Sequence, residues 1–259
     1  MNNNIKNNTI RHFISFLKVP DFFKEKDITL KDKLVIILKV FLITLLGLFI
    51  VNVINSLVFE LVNVKKTTHV VEKIAKSTKN DELRVLYLSL LFIFMPILEE
   101  FVFRYPLGSF KRRKVMISVS LLSGLYLNKL FSSYWYSQLV IAYPLMTYIN
   151  IFFIAIIIYL ILKALFRLLR FNLNLEKIWT NKFTFIFYFF AICFMFNHLG
   201  SVSIANRYLI PLALLPYFIM SMSLGYIRIK LGIFYSIMLH YLFNIPSIIY
   251  LIVAAQIAY

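Results

Sequence analysis

Residues 83–110 read LRVLYLSLLFIFMPILEEFVFRYPLGSF, and Glu99, Glu100 and Arg104 stand there among side chains that are almost all apolar. The stretch is long enough to cross a hydrocarbon core of about 30 Å. Near the centre of a membrane helix, each ionisable group costs about 2.5 to 3.5 kcal/mol on insertion scales, so such groups normally face a protein interior or an aqueous cavity. The fold class and the candidate chemistry both follow from asking what offsets that cost.

The composition around it is that of a membrane chain. Hydrophobic residues make up 61% of the sequence, there are only six glycines, and mean hydropathy is +0.82, well beyond the balance of soluble domains. The net charge of +17 raises nucleic acid as a partner. However, the cations lie in short clusters between apolar runs, where they set topology and meet anionic lipid headgroups, and no nucleic-acid-binding motif accompanies them. Cys193 is the single cysteine, which excludes an intrachain disulfide. Richness in Asn, Lys and Ile points to an AT-rich bacterial genome, and hence to a bacterial cytoplasmic membrane.

The pattern predicts an all-α, polytopic membrane bundle of about seven transmembrane helices, near 34–59, 84–110, 115–133, 135–162, 183–206, 208–227 and 232–257. Residues 1–33 read as a cytosolic leader and 34–259 as one membrane domain. The Asn-rich residues 1–8 are expected to be disordered. Ile10, Phe13, Ile14 and Leu17 recur at helical spacing beside Lys6, Arg11 and Lys18, which suits a helix lying on the headgroups. No cleavable signal is evident, so the first apolar run reads as a retained helix.

With the N-terminus in the cytosol, the Lys111 to Lys114 cluster, the Lys163 to Lys182 segment and the Arg228 and Lys230 turn all fall inside. The lysines of 63–82 would fall outside, partly offset by Glu72, Asp81 and Glu82. Residues around Trp135 would sit at the outer interface.

Glu100 and Arg104 are four residues apart and share a helix face, so Arg104 is expected to pair with Glu100. Glu99 points about 100° away, left to handle protons. Pro96 removes the hydrogen bond to the Phe92 carbonyl and is expected to open the helix near the acids. In the fifth span, FTFIFYFFAICFMFNHLG places Phe194 and His198 one turn apart, and in the seventh, HYLFN does the same for His240 and Asn244. Counted at about 1.5 Å per residue from the nearest basic anchor, Glu99, His198 and His240 lie roughly 18, 24 and 15 Å deep. These depths are compatible with one level. Taken alone, His198 reads as a hydrogen-bonded interhelical residue ahead of a catalyst, and the His240 and Asn244 pair reads equally as interhelical glue.

The ordered set Glu99-Glu100-x-x-x-Arg104, Phe194-x-x-x-His198 and His240-x-x-x-Asn244 resembles the CPBP family of intramembrane proteases, which includes CAAX endopeptidases and bacterial bacteriocin-processing or immunity proteins. LGYIRIKLGIFYSIMLHYLFN is similar too, with Gly225, Arg228 and Gly232 at the family's places. The resemblance covers about residues 83–250 and leaves the leader and first span outside. Tyr105 and Pro106 stand where a glycine commonly follows the arginine, and Met195, Phe196 and Asn197 stand where small residues commonly precede the first histidine.

The resemblance implies hydrolysis of a peptide bond in a membrane-associated peptide or protein. Glu99 is then the general base with His198 assisting, His240 and Asn244 hold the oxyanion, and Glu100, Arg104 and Phe194 support them. Two histidines and a carboxylate also form a zinc ligand set, so Glu99, His198 and His240 are the candidate metal ligands. The reading favours no required cofactor and keeps a divalent metal such as zinc as the alternative. The competing functions are a non-catalytic membrane adaptor or immunity protein that keeps the fold, and a transporter with a proton relay.

Overall fold

The computed structural model describes residues 8–24, 28–62, 90–135, 144–168, 175–199 and 207–257. Among these residues there is no strand, and nine α-helices follow one another. They are α1 (Thr9–Lys18), α2 (Leu30–Leu61), α3 (Met95–Phe103), α4 (Arg112–Trp135), α5 (Pro144–Leu168), α6 (Leu175–Asn181), α7 (Phe183–Asn197), α8 (Ile210–Lys230) and α9 (Ile233–Ile257). The expected disorder of residues 1–7, the topology of 63–82, the start of the second span, the interface beyond Trp135 and the end of the fifth span at 200–206 lie outside the described residues. The chain divides into two compact units, one of Met1–Lys73 with Phe183–Tyr259 and one of Ile74–Lys182.

In the first unit, α2 begins on a Thr29 cap whose hydroxyl accepts the Asp32 N–H at 3.2 Å, with Asp32 in the first turn, where an acid suits the helix dipole. Ile36, Ile37, Val40 and Thr44 form its buried stripe, whereas Leu38, Leu42, Leu46 and Phe49 on other faces stay exposed. A helix apolar on every side belongs in lipid or a large core. The buried stripe meets α8, where Thr44 and Ser223 share a hydrogen bond of 2.7 Å between their hydroxyls. Gly225 of α8 lets Phe187 of α7 approach so closely that an added Cβ would stand 2.6 Å from the ring. Helix α8 ends at Gly232, whose φ of 116° is the left-handed conformation that glycine adopts without a Cβ penalty. Ser236 of α9 then donates back to the Leu224 carbonyl at 2.9 Å.

Helix α1 forms where the periodicity predicts it, and one of its faces packs on protein. Phe13 and Phe16 are buried against protein, with edge-on contacts to Tyr226 and, for Phe16, to Phe187. His12 Nδ1 lies 2.9 Å from the Tyr226 hydroxyl, and the Tyr188 hydroxyl donates to the Leu17 carbonyl. Only Ile10 and Ile14 of the predicted headgroup face remain exposed. The leader helix therefore packs within the same unit as α7 and α8.

In the second unit, α4 and α5 run together through Gly124, whose added Cβ would fall 2.6 Å from the Ile151 carbonyl oxygen. The span expected at 84–110 is broken where described. Leu90–Phe94 form a π-helical turn, α3 follows for nine residues with Pro96 at its start, and Tyr105–Leu107 make a 3₁₀ turn beyond Arg104. Proline supplies no N–H to the preceding turn, and a wide turn accommodates that loss.

Among the described residues, three helices are long and apolar enough to cross a membrane, Leu30–Leu61, Thr147–Leu168 and Arg207–Lys230, or four if the consecutive α6 and α7 count as one broken span. These helices mark the chain as a membrane protein. Seven continuous spans were expected, and the shortfall has visible causes. Helix α3 is nine residues long, α4 carries Asn128, Lys129 and a tri-basic start, and α7 stops after fifteen residues, whereas α9 stays helical through Ile257.

Candidate functional site

The acidic group lies in the second unit. Glu99, Glu100 and Arg104 on α3 are 6%, 0% and 1% exposed. Arg104 Nη1 stands 3.4 Å from Glu100 Oε1, the pair that the four-residue spacing predicts. The guanidinium also lies 5.7 Å from the centre of the Phe103 ring. Both carboxylates act electrostatically on Arg104, and Glu99 also acts on Lys129 of α4. Glu99 therefore has two cations within electrostatic range, Arg104 and Lys129, where its helical spacing alone assigned it none. Ser118 of α4 donates to the Val102 carbonyl, tying α3 and α4 together beside the cluster.

The histidine group lies in the first unit. Phe194 is fully buried, and two histidines from different segments pack on it, His198 at 4.6 Å and His240 of α9 at 5.9 Å between ring centres. His198 lies just past the end of α7, which stops at Asn197, and not inside a continuous span as expected. Its backbone N–H bonds the Met195 carbonyl at 3.1 Å. Its Nδ1 lies 3.0 Å from the Phe194 carbonyl oxygen, which only accepts, so Nδ1 carries a proton and donates it there. Tyr217 of α8 stacks on the ring at 4.2 Å. Asn244 sits one turn beyond His240 on α9, half-buried. His198, His240 and Phe194 are thus brought together within one unit, and Glu100, Arg104 and Glu99 within the other.

No family model, curated protein or solved structure matches the chain.

A catalytic zinc normally takes three protein ligands. Within either unit, no group of three His, Cys, Asp or Glu side chains among the described residues stands close enough to hold a metal ion. His198 and His240 are two of the three residues named as candidate ligands, and Glu99 belongs to the other unit.

Two residues at these groups were not assigned a role in the sequence reading. Lys129 had a signal, since it interrupts an apolar run beside Asn128. Tyr217 had none, being one of sixteen tyrosines.

Proposed function

We propose that the chain is an intramembrane endopeptidase of the CPBP type, acting on a membrane-associated peptide or protein such as a bacteriocin or pheromone precursor, or in immunity. The observation that carries the reading is the packing of both His198 and His240 against the Phe194 ring, with ring centres 4.6 and 5.9 Å away. That packing gives a pair of imidazoles from separate motifs one shared anchor.

In this reading Glu99 accepts a proton from water as its oxygen attacks the scissile carbonyl, and His198 assists through Nε2. His240 and Asn244 donate to the oxyanion that forms, each such donor contributing about 2.7 to 4 kcal/mol. The C–N bond then breaks, and the proton held by the carboxyl group passes to the leaving amine. Arg104 holds Glu100 in place through their ion pair. No step passes through a metal. The reading includes seven spans in a bacterial cytoplasmic membrane and a cytosolic N-terminus, with positive residues inside.

Proteomics of cells carrying the wild-type or the Glu99→Gln protein tests it. One or more membrane-associated precursors should accumulate in the variant while the protein itself persists at its normal level. An unchanged peptide inventory would remove the assigned base.

One observation favours a second reading. The balance of Glu99 and Glu100 against Arg104 and Lys129 also suits a purely structural cluster in a membrane adaptor or immunity protein. Retention of the cellular phenotype in Glu99→Gln selects that reading.

A further inference from the structure

At the start of α4 and the end of α5, an open cleft of about 370 Å³ gathers four cations, Arg112 and Arg113 from one helix and Lys163 and Arg167 from the other. Tyr159 adds a hydroxyl, Met116 and Phe166 add apolar wall, and among the described residues no carboxylate lines the cleft. The Arg112 guanidinium lies 4.0 Å from the centre of the Phe166 ring, a cation–π contact within the wall of the cleft. The first turn of α4 contains no acid. Four like charges in one cleft repel one another unless an anion joins them.

The surroundings name the anion. Phe153, Ile156 and Leu160 are exposed on α5, and together with Lys163 and Arg167 they recur at three- and four-residue steps, so one helix face runs from apolar to cationic. Helix α5 includes the membrane-length stretch Thr147–Leu168, which places its basic end at headgroup level. A soluble phosphate has no use for the apolar stripe, whereas a phospholipid fills both parts.

We propose that this cleft binds the phosphate of an anionic phospholipid, with an acyl chain lying along Phe153, Ile156 and Leu160. The site is independent of peptide hydrolysis and shares with that proposal only the membrane setting. It adds a defined place to the general attraction between basic loops and anionic leaflets.

The test uses the purified full-length protein in a neutral detergent, with native mass spectrometry of samples containing equal amounts of phosphatidylglycerol and phosphatidylcholine. The wild type should retain phosphatidylglycerol at least about tenfold better. Each cation removed should weaken retention about fivefold, so R112Q/R113Q/K163Q/R167Q should lose the preference, while R112K/R113K/K163R/R167K should keep most of it. L160Q leaves all four charges in place and should weaken lipid retention without changing the binding of inorganic phosphate. Equal retention of the two lipids by the wild type, undiminished phosphatidylglycerol on the neutralised protein, or displacement of the lipid by an equal concentration of inorganic phosphate would each overturn the proposal. Undiminished retention by L160Q would overturn the acyl-chain placement.

Discussion

His198 lies face to face with Tyr217, with ring planes 18° apart and centres 4.2 Å apart. The Phe194 carbonyl holds its Nδ1 at the same time. Because His198 follows the last residue of α7, these contacts set the tilt of the ring where regular helix geometry does not. If the chain cleaves peptides as proposed, Tyr217→Phe keeps the stacked ring and should leave cleavage within about twofold, whereas Tyr217→Ala should slow it by about tenfold to a hundredfold, the range expected when a catalytic group shifts by an ångström or less. The measurement is the cellular processing rate of a precursor that accumulates with Glu99→Gln. Full activity in Tyr217→Ala would show that the orientation of His198 is immaterial.

Arg104 and Glu100 make a buried pair whose members differ in what their loss leaves behind. Arg104→Met alone sets two carboxylates against Lys129, and breaking a buried pair in this way costs about 3 to 5 kcal/mol. The double change Glu100→Gln with Arg104→Met leaves Glu99 and Lys129 balanced and should be milder than Arg104→Met alone. Thermal unfolding of the purified proteins in detergent measures the coupling. A double variant less stable than Arg104→Met would refute the charge-balance account.

The same residues show how far the sequence could be read. The bounds of α2 and α9 were legible because an uninterrupted apolar run has only one way to satisfy its backbone in lipid. The pairing of Arg104 with Glu100 was legible because helical spacing sets it locally. The break at Leu90–Phe94 was not legible, since Pro96 can kink a long helix or start a new one, and the choice depends on what packs around it. Periodicity found α1 but could not separate the face that meets Tyr226 from a face that meets lipid, because both favour apolar side chains. Tyr217 became a neighbour of His198 through the packing of α7 against α8, which no local pattern encodes.

Three glycines give a ranked prediction. A Cβ at Gly47 would have Ile219 as its nearest neighbour at 3.8 Å, an ordinary contact. At Gly225 it would press on the Phe187 ring at 2.6 Å, and that ring is itself buried. At Gly124 it would meet the Ile151 carbonyl oxygen at 2.6 Å, and backbone yields less readily than a side chain. Gly47→Ala should therefore be neutral or stabilising by up to about 1 kcal/mol, Gly225→Ala should cost about 1 to 3 kcal/mol, and Gly124→Ala should cost more. Melting temperatures in one detergent give the order, and a neutral Gly124→Ala would contradict the close approach of α4 and α5.

Lys230 ends α8 with its side chain only 3% exposed, and its Nζ donates to Asp21 Oδ1 at 2.7 Å and to the Phe23 carbonyl at 3.2 Å. Asp21 is 39% exposed, so solvent weakens the ionic part of this contact. The same Oδ1 accepts the Phe23 N–H at 3.0 Å. Asp21→Asn keeps an acceptor for both donors and should cost about 1 kcal/mol, whereas Asp21→Ala removes the acceptor and should cost about 1 to 3 kcal/mol. Lys230→Met removes the buried charge, keeps an unbranched stem against Phe16, and should be milder than Asp21→Ala. Thermal unfolding at two salt concentrations separates the outcomes. A Lys230→Met protein less stable than Asp21→Ala, with a difference that shrinks in high salt, would mean that the ion pair stabilises the α1–α8 contact beyond satisfying its hydrogen bonds.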